Sequence, residues 1–153
     1  MKSQRIDHVG VIVRDLAAAR AFFVDLGLEV LEEGDVDGAW VDRVTGLDGG
    51  KAAWVMLRTP DGEANIEFIS FSSPADEGAI QQPSFNTLGI RHIAFAVEDI
   101  DAVVARLKKS GAEAFSEIQR FEDGSKLCFV RGPEGMIIEL EEHTNEVTPA
   151  HKS

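Results

Sequence analysis

The sequence predicts an α+β fold built from two tandem βαβββ modules. Three observations carry that expectation. First, the stretch RIDHVGVIVRDL at Arg5–Leu16 returns as RHIAFAVEDID within Gly89–Asp101. His8 aligns with His92, Val13 with Val97, Asp15 with Asp99 and Leu16 with Ile100, all at one offset of 84 (92 − 8). An offset without gaps is the signature of a duplicated supersecondary unit. Second, each copy switches from strand alternation to a helical stripe at the aspartate. Third, each copy then runs through further apolar strands separated by Pro/Gly turns, Pro60-Asp61-Gly62 and Pro133-Glu134-Gly135.

In chain order, Ile6–Val13 alternates as a strand, with His8, Gly10 and Ile12 on one face and Val9, Val11 and Val13 on the other. Asp15 is an N-cap by chemistry, a short carboxylate that accepts free backbone N–H groups. Leu16, Ala19, Phe22, Phe23 and Leu26 form the apolar stripe of a helix that Gly27 ends. Strands are expected near Leu28–Glu33, at Ala52–Arg58 and at Asn65–Phe71. Between the first two, 34–50 reads as a long Gly- and Asp-rich connection carrying Trp40 and Arg43. Those two residues either close over a cleft or simply anchor the loop. The stretch 72–88 holds Pro74, Gly78 and Pro83 without periodicity and reads as the crossover between the halves.

The second unit repeats the order. Ile90–Val97 is a strand, Asp99 a cap, and Ile100, Val103, Val104 and Leu107 a helical stripe ending at Gly111. Strands follow near Glu113–Ile118, Lys126–Arg131 and Met136–Glu141. The whole is one domain over 1–153, with modules at 5–71 and 89–142, a linker at 72–88 and a loose polar tail at 143–153.

Composition narrows the partners. The chain has 153 residues, with 15 Lys+Arg against 27 Asp+Glu, a formal net charge of −12. That repels nucleic acid and anionic membrane surfaces, and no basic run offsets it. Asp7 and Arg14 interrupt any apolar signal segment, and no apolar run is long enough to span a bilayer. The single cysteine, Cys128, allows no internal disulfide and fits a reducing cytoplasm; in its apolar LCFV setting it reads as inert packing.

Alternation also sorts the polar positions. Glu67 lies between Ile66 and Phe68, and Glu139 between Ile138 and Leu140. Each glutamate therefore points away from the face that packs on its helix, as do His8 and His92. A carboxylate in so apolar a strand is costly unless it is paired or binds a cation. Two imidazoles and two carboxylates suit a divalent ion such as Ni, Co, Fe, Mn or Zn. Four protein ligands leave two positions of an octahedral ion open, which suits catalysis. Glu141 and Glu142, at the end of the last strand, read as solvated charges. No P-loop, no GxGxxG after a strand and no HExxH is present.

IDHVGVIVRDL, GIRHIAFAVEDID and GPEGMIIELEE, in paired βαβββ units with the order His, Glu, His, Glu, resemble the vicinal oxygen chelate superfamily. Glyoxalases, methylmalonyl-CoA epimerase, extradiol dioxygenases, and fosfomycin and bleomycin resistance proteins belong to it. The resemblance covers about residues 5–142. It implies a cupped, glyoxalase-like sheet around a metal held by His8, Glu67, His92 and Glu139, a small-molecule substrate, and a homodimer. Glu in the second ligand position is closest to bacterial lactoylglutathione lyases, in which the metal stabilises an enediolate and glutamate moves the proton. Glu67 and Glu139 are the candidates for that transfer. Those lyases carry an arginine where Ile12 stands here, so the expectation is a glyoxalase-like lyase or isomerase without an assigned substrate.

Two alternatives come with the resemblance. An Fe(II) extradiol dioxygenase commonly uses a nearby Tyr and His. This chain has no Tyr, and His143 and His151 lie at or beyond the last strand. A non-catalytic drug-binding protein of the bleomycin-resistance kind tends to lose the ligands that are present here.

Overall fold

The computed structural model describes residues 1–144; the predicted polar tail, His151 included, falls outside them apart from His143 and Thr144. The chain divides into two compact units, Met1–Ala79 and Ile80–Ser153. The fold is α+β with two sheets, and each unit carries the expected strand, helix and meander.

In the first unit, β1 (Val9–Ile12) leads into α1 (Leu16–Leu26). Asp15 caps the helix by accepting the Ala18 N–H at 2.9 Å. Gly27 ends it at φ 119, a left-handed conformation in which a side chain is strained. β2 (Glu29–Asp37), α2 (Ala39–Thr45), β3 (Lys51–Arg58) and β4 (Asn65–Ser73) complete the unit. The sheet order is β1-β4-β3-β2, and β1 pairs parallel to β4.

One face of this sheet packs on α1. Phe68 and Phe23, both fully buried, stack with ring centroids 4.6 Å apart, and Val55, Leu57 and Ile66 join them in the core. Burying aliphatic and aromatic side chains of this size stabilises a fold by roughly 1.5–3 kcal/mol each. The opposite face takes the other half of every alternation, and it carries His8 and Glu67.

The second unit has β5 (His92–Ala96), α3 (Ile100–Lys109), β6 (Glu113–Ala114), β7 (Gln119–Arg120), β8 (Lys126–Arg131) and β9 (Ile137–Glu142). The order is β5-β9-β8-β6, with β7 also paired to β8, and β5 runs parallel to β9. Asp99 caps α3 by accepting the Ala102 N–H at 3.0 Å. Ile100, Val104 and Leu107 pack with Cys128, Val130, Ile138 and Leu140 into the second core. Cys128 is inert as expected, its thiol pKa pushed up to about 11 mainly by burial.

Several expectations are corrected. The connection predicted at 34–50 is largely structured. β2 continues to Asp37 through backbone pairing with β3, and α2 follows, holding Trp40 and Arg43. Asp42 explains the turn after α2: it accepts the N–H groups of Gly49 and Gly50 at 2.9 and 2.7 Å. The strand predicted near Glu113–Ile118 is broken in two. Phe115 and Ser116 both donate to the Phe129 carbonyl, which bends the chain out of register. Helix α3 stops at Lys109, with Ser110 as its cap and Gly111 following at φ 93. In the turn before β9, a side chain at Gly135 would run into the Gln81 carbonyl, so glycine is required there. No described helix is long and apolar enough to cross a membrane.

Candidate functional site

Each unit presents one histidine and one glutamate on the sheet face turned away from its helix, and the registers of the two units match. In the first, Gly10 stands opposite Glu67 across the parallel β1–β4 pair, with His8 two residues before Gly10. In the second, Ala94 stands opposite Glu139 across β5–β9, with His92 two residues before Ala94. One strand spacing and one two-residue step put the backbones of such a diagonal pair roughly 8 Å apart. An imidazole and a carboxylate can both reach a common point from there. The residue facing each glutamate is small, Gly or Ala, which leaves the carboxylate room.

His8 has a partner that strand alternation does not foresee. Its Nδ1 lies 2.9 Å from Asp7 Oδ2, and Arg5 holds the same carboxylate from 2.7 Å. An ionised aspartate only accepts, so His8 donates from Nδ1, and in the neutral ring Nε2 then carries the lone pair. The bond to His8, followed by that to Arg5, holds the Asp7 carboxyl below the usual carboxylate range. A ring fixed through one nitrogen by a carboxylate is how metal-binding histidines are commonly oriented. Neighbours in a strand point to opposite faces, so Asp7 and His8 would diverge in regular structure. They meet because β1 begins only at Val9.

His92 is held differently, since the position corresponding to Asp7 is Arg91 (91 − 7 = 84). Phe85 lies nearly parallel to the His92 ring at 5.3 Å between centroids, and Phe129 meets it edge-on at 5.8 Å. Phe129 stands opposite Glu139 in the β8–β9 register. Burial, then the nearby Glu141 charge, push the Glu139 carboxyl above the usual carboxylate range, partly offset by His92. Arg131 fixes this surround. It donates to the carbonyls of Pro83 at 2.6 Å and Gly135 at 3.1 Å, and its guanidinium lies 4.8 Å from the Phe115 ring centroid.

Glu141 and Glu142 are not simply solvated. His143 Nε2 lies 3.0 Å from Glu141 Oε2, while Glu142 accepts the Ile100 N–H at 2.8 Å and approaches Lys126. Among the aromatic residues, Trp54 and Phe71 fall on the Glu67 face by register. The Trp54 ring packs over Gly34, where a Cβ would come within 3.3 Å of it. Phe85 covers His92, Trp40 is exposed on α2, and Phe121 sits in the turn between β7 and β8.

The donor set fits a divalent ion by its chemistry: imidazole and carboxylate in each unit, one histidine oriented by an aspartate, and one half-buried carboxylate short of positive charge. Among the described residues no three His, Cys, Asp or Glu side chains gather closely enough to hold an ion, so the four predicted ligands are not seen together as one cluster. Sequence reasoning missed Asp7, Phe129 and Arg131. The Asp-His dipeptide was the available signal for the first, and alternation within LCFV for the second.

Comparison with known proteins agrees with this architecture. A family model described as Glyoxalase/Bleomycin resistance protein/Dioxygenase superfamily matches residues 5–140. The crystal structure of a glyoxalase family protein from Bacillus cereus superposes with TM-score 0.88 at 39% identity, covering 93% of this chain and 95% of that one. The uncharacterized protein YwbC of Bacillus subtilis (strain 168) is 32% identical over 144 residues, 90% of this chain and 97% of its own. A variant of the fosfomycin resistance protein FosX from Listeria monocytogenes, complexed with Mn(II) and a dihydroxypropylphosphonic acid, has TM-score 0.62 at 18% identity. That match covers 95% of this chain and 94% of FosX, and at such identity it shows the fold alone.

Proposed function

The chain belongs to the glyoxalase/bleomycin resistance protein/dioxygenase superfamily, and from that premise we propose that it is a metal-dependent lyase or isomerase of the glyoxalase type. His8, Glu67, His92 and Glu139 hold one divalent ion in this reading, and the protein acts in the cytoplasm as a homodimer on a small substrate with adjacent oxygens. Superfamily membership supports metal-dependent chemistry of this general kind. The observation that carries the finer reading is the repeated register, histidine two residues before a small residue that faces a glutamate.

A bound dication would supply Lewis acidity, polarising the substrate oxygens so that the neighbouring carbon becomes acidic. The chain's own groups do the rest. Glu139, released from the ion or standing beside it, would take a proton from that carbon. Glu67, on the matching strand, would return a proton or remain a ligand. Phe85 and Phe129 keep water from one side of His92.

Elemental analysis after loading with Ni, Co, Mn or Zn tests the assignment. Wild-type protein is expected to retain one ion per full ligand set. His92→Ala is expected to lose the ion and the proton exchange while keeping its circular dichroism. Full metal occupancy in that variant would refute the ligand set. Wild-type protein that emerges without stoichiometric metal would favour a pure binding protein instead.

A further inference from the structure

From the face that carries Glu67, we infer that Arg58 and Asn65 form an oxyanion-binding subsite, one that holds a carboxylate or phosphate-type group of the substrate. Three buried side-chain polar atoms lack a hydrogen bond among the described residues: Arg58 Nε, Asn65 Oδ1 and Arg91 Nε. Two of the three belong to one cross-strand pair, since Arg58 stands directly opposite Asn65 in the antiparallel β3–β4 register. Neither atom bonds the other.

The pair lies in the row of His8. One step back along the β1–β4 register from Val9↔Ile66 brings His8 beside Asn65, and Asn65 Nδ2 donates to the Asp7 carbonyl at 3.4 Å. Imidazole, amide and guanidinium therefore follow one another across three neighbouring strands, with His8 and Arg58 roughly 10 Å apart at the backbone. Glu67 is one row further on, opposite Met56.

Arg58 stands out for what it does not do. In a chain of net charge −12, carboxylates are plentiful, and Arg5, Arg20 and Arg120 are all paired with one. Arg58 is half-buried and makes no side-chain hydrogen bond or ion pair among the described residues, although Glu29 faces it in the β2–β3 register. A planar fork of N–H donors with no carboxylate partner is matched to a bidentate oxyanion. Asn65 Oδ1 is itself an acceptor, so the amide must turn over, releasing the long Asp7 contact, before Nδ2 can donate to the same ligand. A substrate with its oxygens near His8 and Glu67 would thus carry a negative group several bonds from the reacting carbon. Calling the anion part of a substrate rests on the proposed function; the binding itself does not.

The test therefore uses full-length, isotope-labelled protein stripped of metal with EDTA. It is titrated with sodium phosphate and separately with sodium acetate, at ionic strength held constant with sodium chloride. The arginine Nε–H resonances and the melting temperature are followed. One resonance, absent from Arg58→Gln, is expected to shift and saturate in the millimolar range, and the tighter of the two anions identifies the head group. Arg58→Gln is expected to weaken binding at least tenfold and Asn65→Ala severalfold. Arg58→Lys, which keeps the charge but not the fork, should fall between and covers the case in which the glutamine variant fails to fold. On reloading, Arg58→Gln is expected to take up the same amount of metal as wild type, which separates this subsite from the metal ligands. Shifts no larger than with chloride alone, or equal affinity in Arg58→Gln, would overturn the inference.

Discussion

Replacing Arg131 by methionine tests how the surround of His92 is held together. The side chain donates two charge-assisted hydrogen bonds, to Pro83 O at 2.6 Å and Gly135 O at 3.1 Å, and its guanidinium lies 4.8 Å from the Phe115 ring centroid. A hydrogen bond to a charged group contributes about 1.5–3 kcal/mol. The site is only half-buried, so water can partly replace the lost donors and the lower end applies to each bond. The ring contact adds about 0.5–1 kcal/mol. Methionine keeps most of the apolar stem, so the expected loss is about 3–4 kcal/mol, a large share of the 5–15 kcal/mol typical of a domain. With a urea slope of about 2 kcal/mol/M, the midpoint followed by circular dichroism should fall by about 1.5–2 M. Arg131→Lys, which reaches one carbonyl but not both, should lose about half as much. A local readout accompanies the global one. Phe85 lies over His92, so the His92 ring protons should resonate upfield in wild type and relax toward ordinary positions once Pro83 is released. An unchanged midpoint together with unchanged His92 resonances would show that Arg131 anchors nothing.

Two further outcomes follow from groups outside the site. Asp15→Ala and Asp99→Ala each remove an N-cap side chain that accepts an N–H at 2.9 or 3.0 Å, and each should cost about 1 kcal/mol in urea denaturation. Equal midpoints in wild type and both variants would refute the capping role. Asp101 is held below the usual carboxylate range by Arg120 first and then Lys126, at 2.6 and 3.0 Å. A lowered folded pKa contributes stability that is present above the unfolded pKa and lost as pH falls through the folded one. Wild type should therefore lose more stability than Asp101→Asn on acidification below the ordinary aspartate range. Parallel stability–pH curves for the two would contradict this.

The parts of the architecture that could be read from sequence are those set by side-chain period. His8, Glu67, His92 and Glu139 each sit in apolar alternation, so the face each occupies followed from neighbours such as Phe68 and Leu140. The far end of β2 escaped because GDVD, after the predicted strand near Leu28–Glu33, is an edge segment held by backbone pairing to β3, with little apolar signal on either face. The break between β6 and β7 depends on two N–H groups sharing the Phe129 carbonyl, which no periodicity encodes. Arg58 and Phe129 were missed because their roles depend on register across strands, and Asp7 because its bond to the adjacent His8 departs from strand alternation. The duplication is also unequal beyond the first helix. The histidines are 84 apart (92 − 8) but the glutamates only 72 (139 − 67), and the 12 missing residues fall where the first unit has α2 and a full-length β2 and the second has neither.

The parallel pairing that places histidine beside glutamate also dictates when that happens. β1 and β5 cannot close hairpins with the strands that follow them; each waits for the last strand of its own unit, more than forty residues on in both cases. Closing so long a loop costs entropy before any ladder bond compensates it, and contacts of this span slow folding. On the ribosome the first histidine emerges early and stays without its carboxylate neighbour until β4 has left the exit tunnel. A chain cut short before β9 would strand β5 and its histidine as an exposed edge open to foreign pairing. Assembly of the face that carries histidine and glutamate is therefore a late event in the birth of each unit.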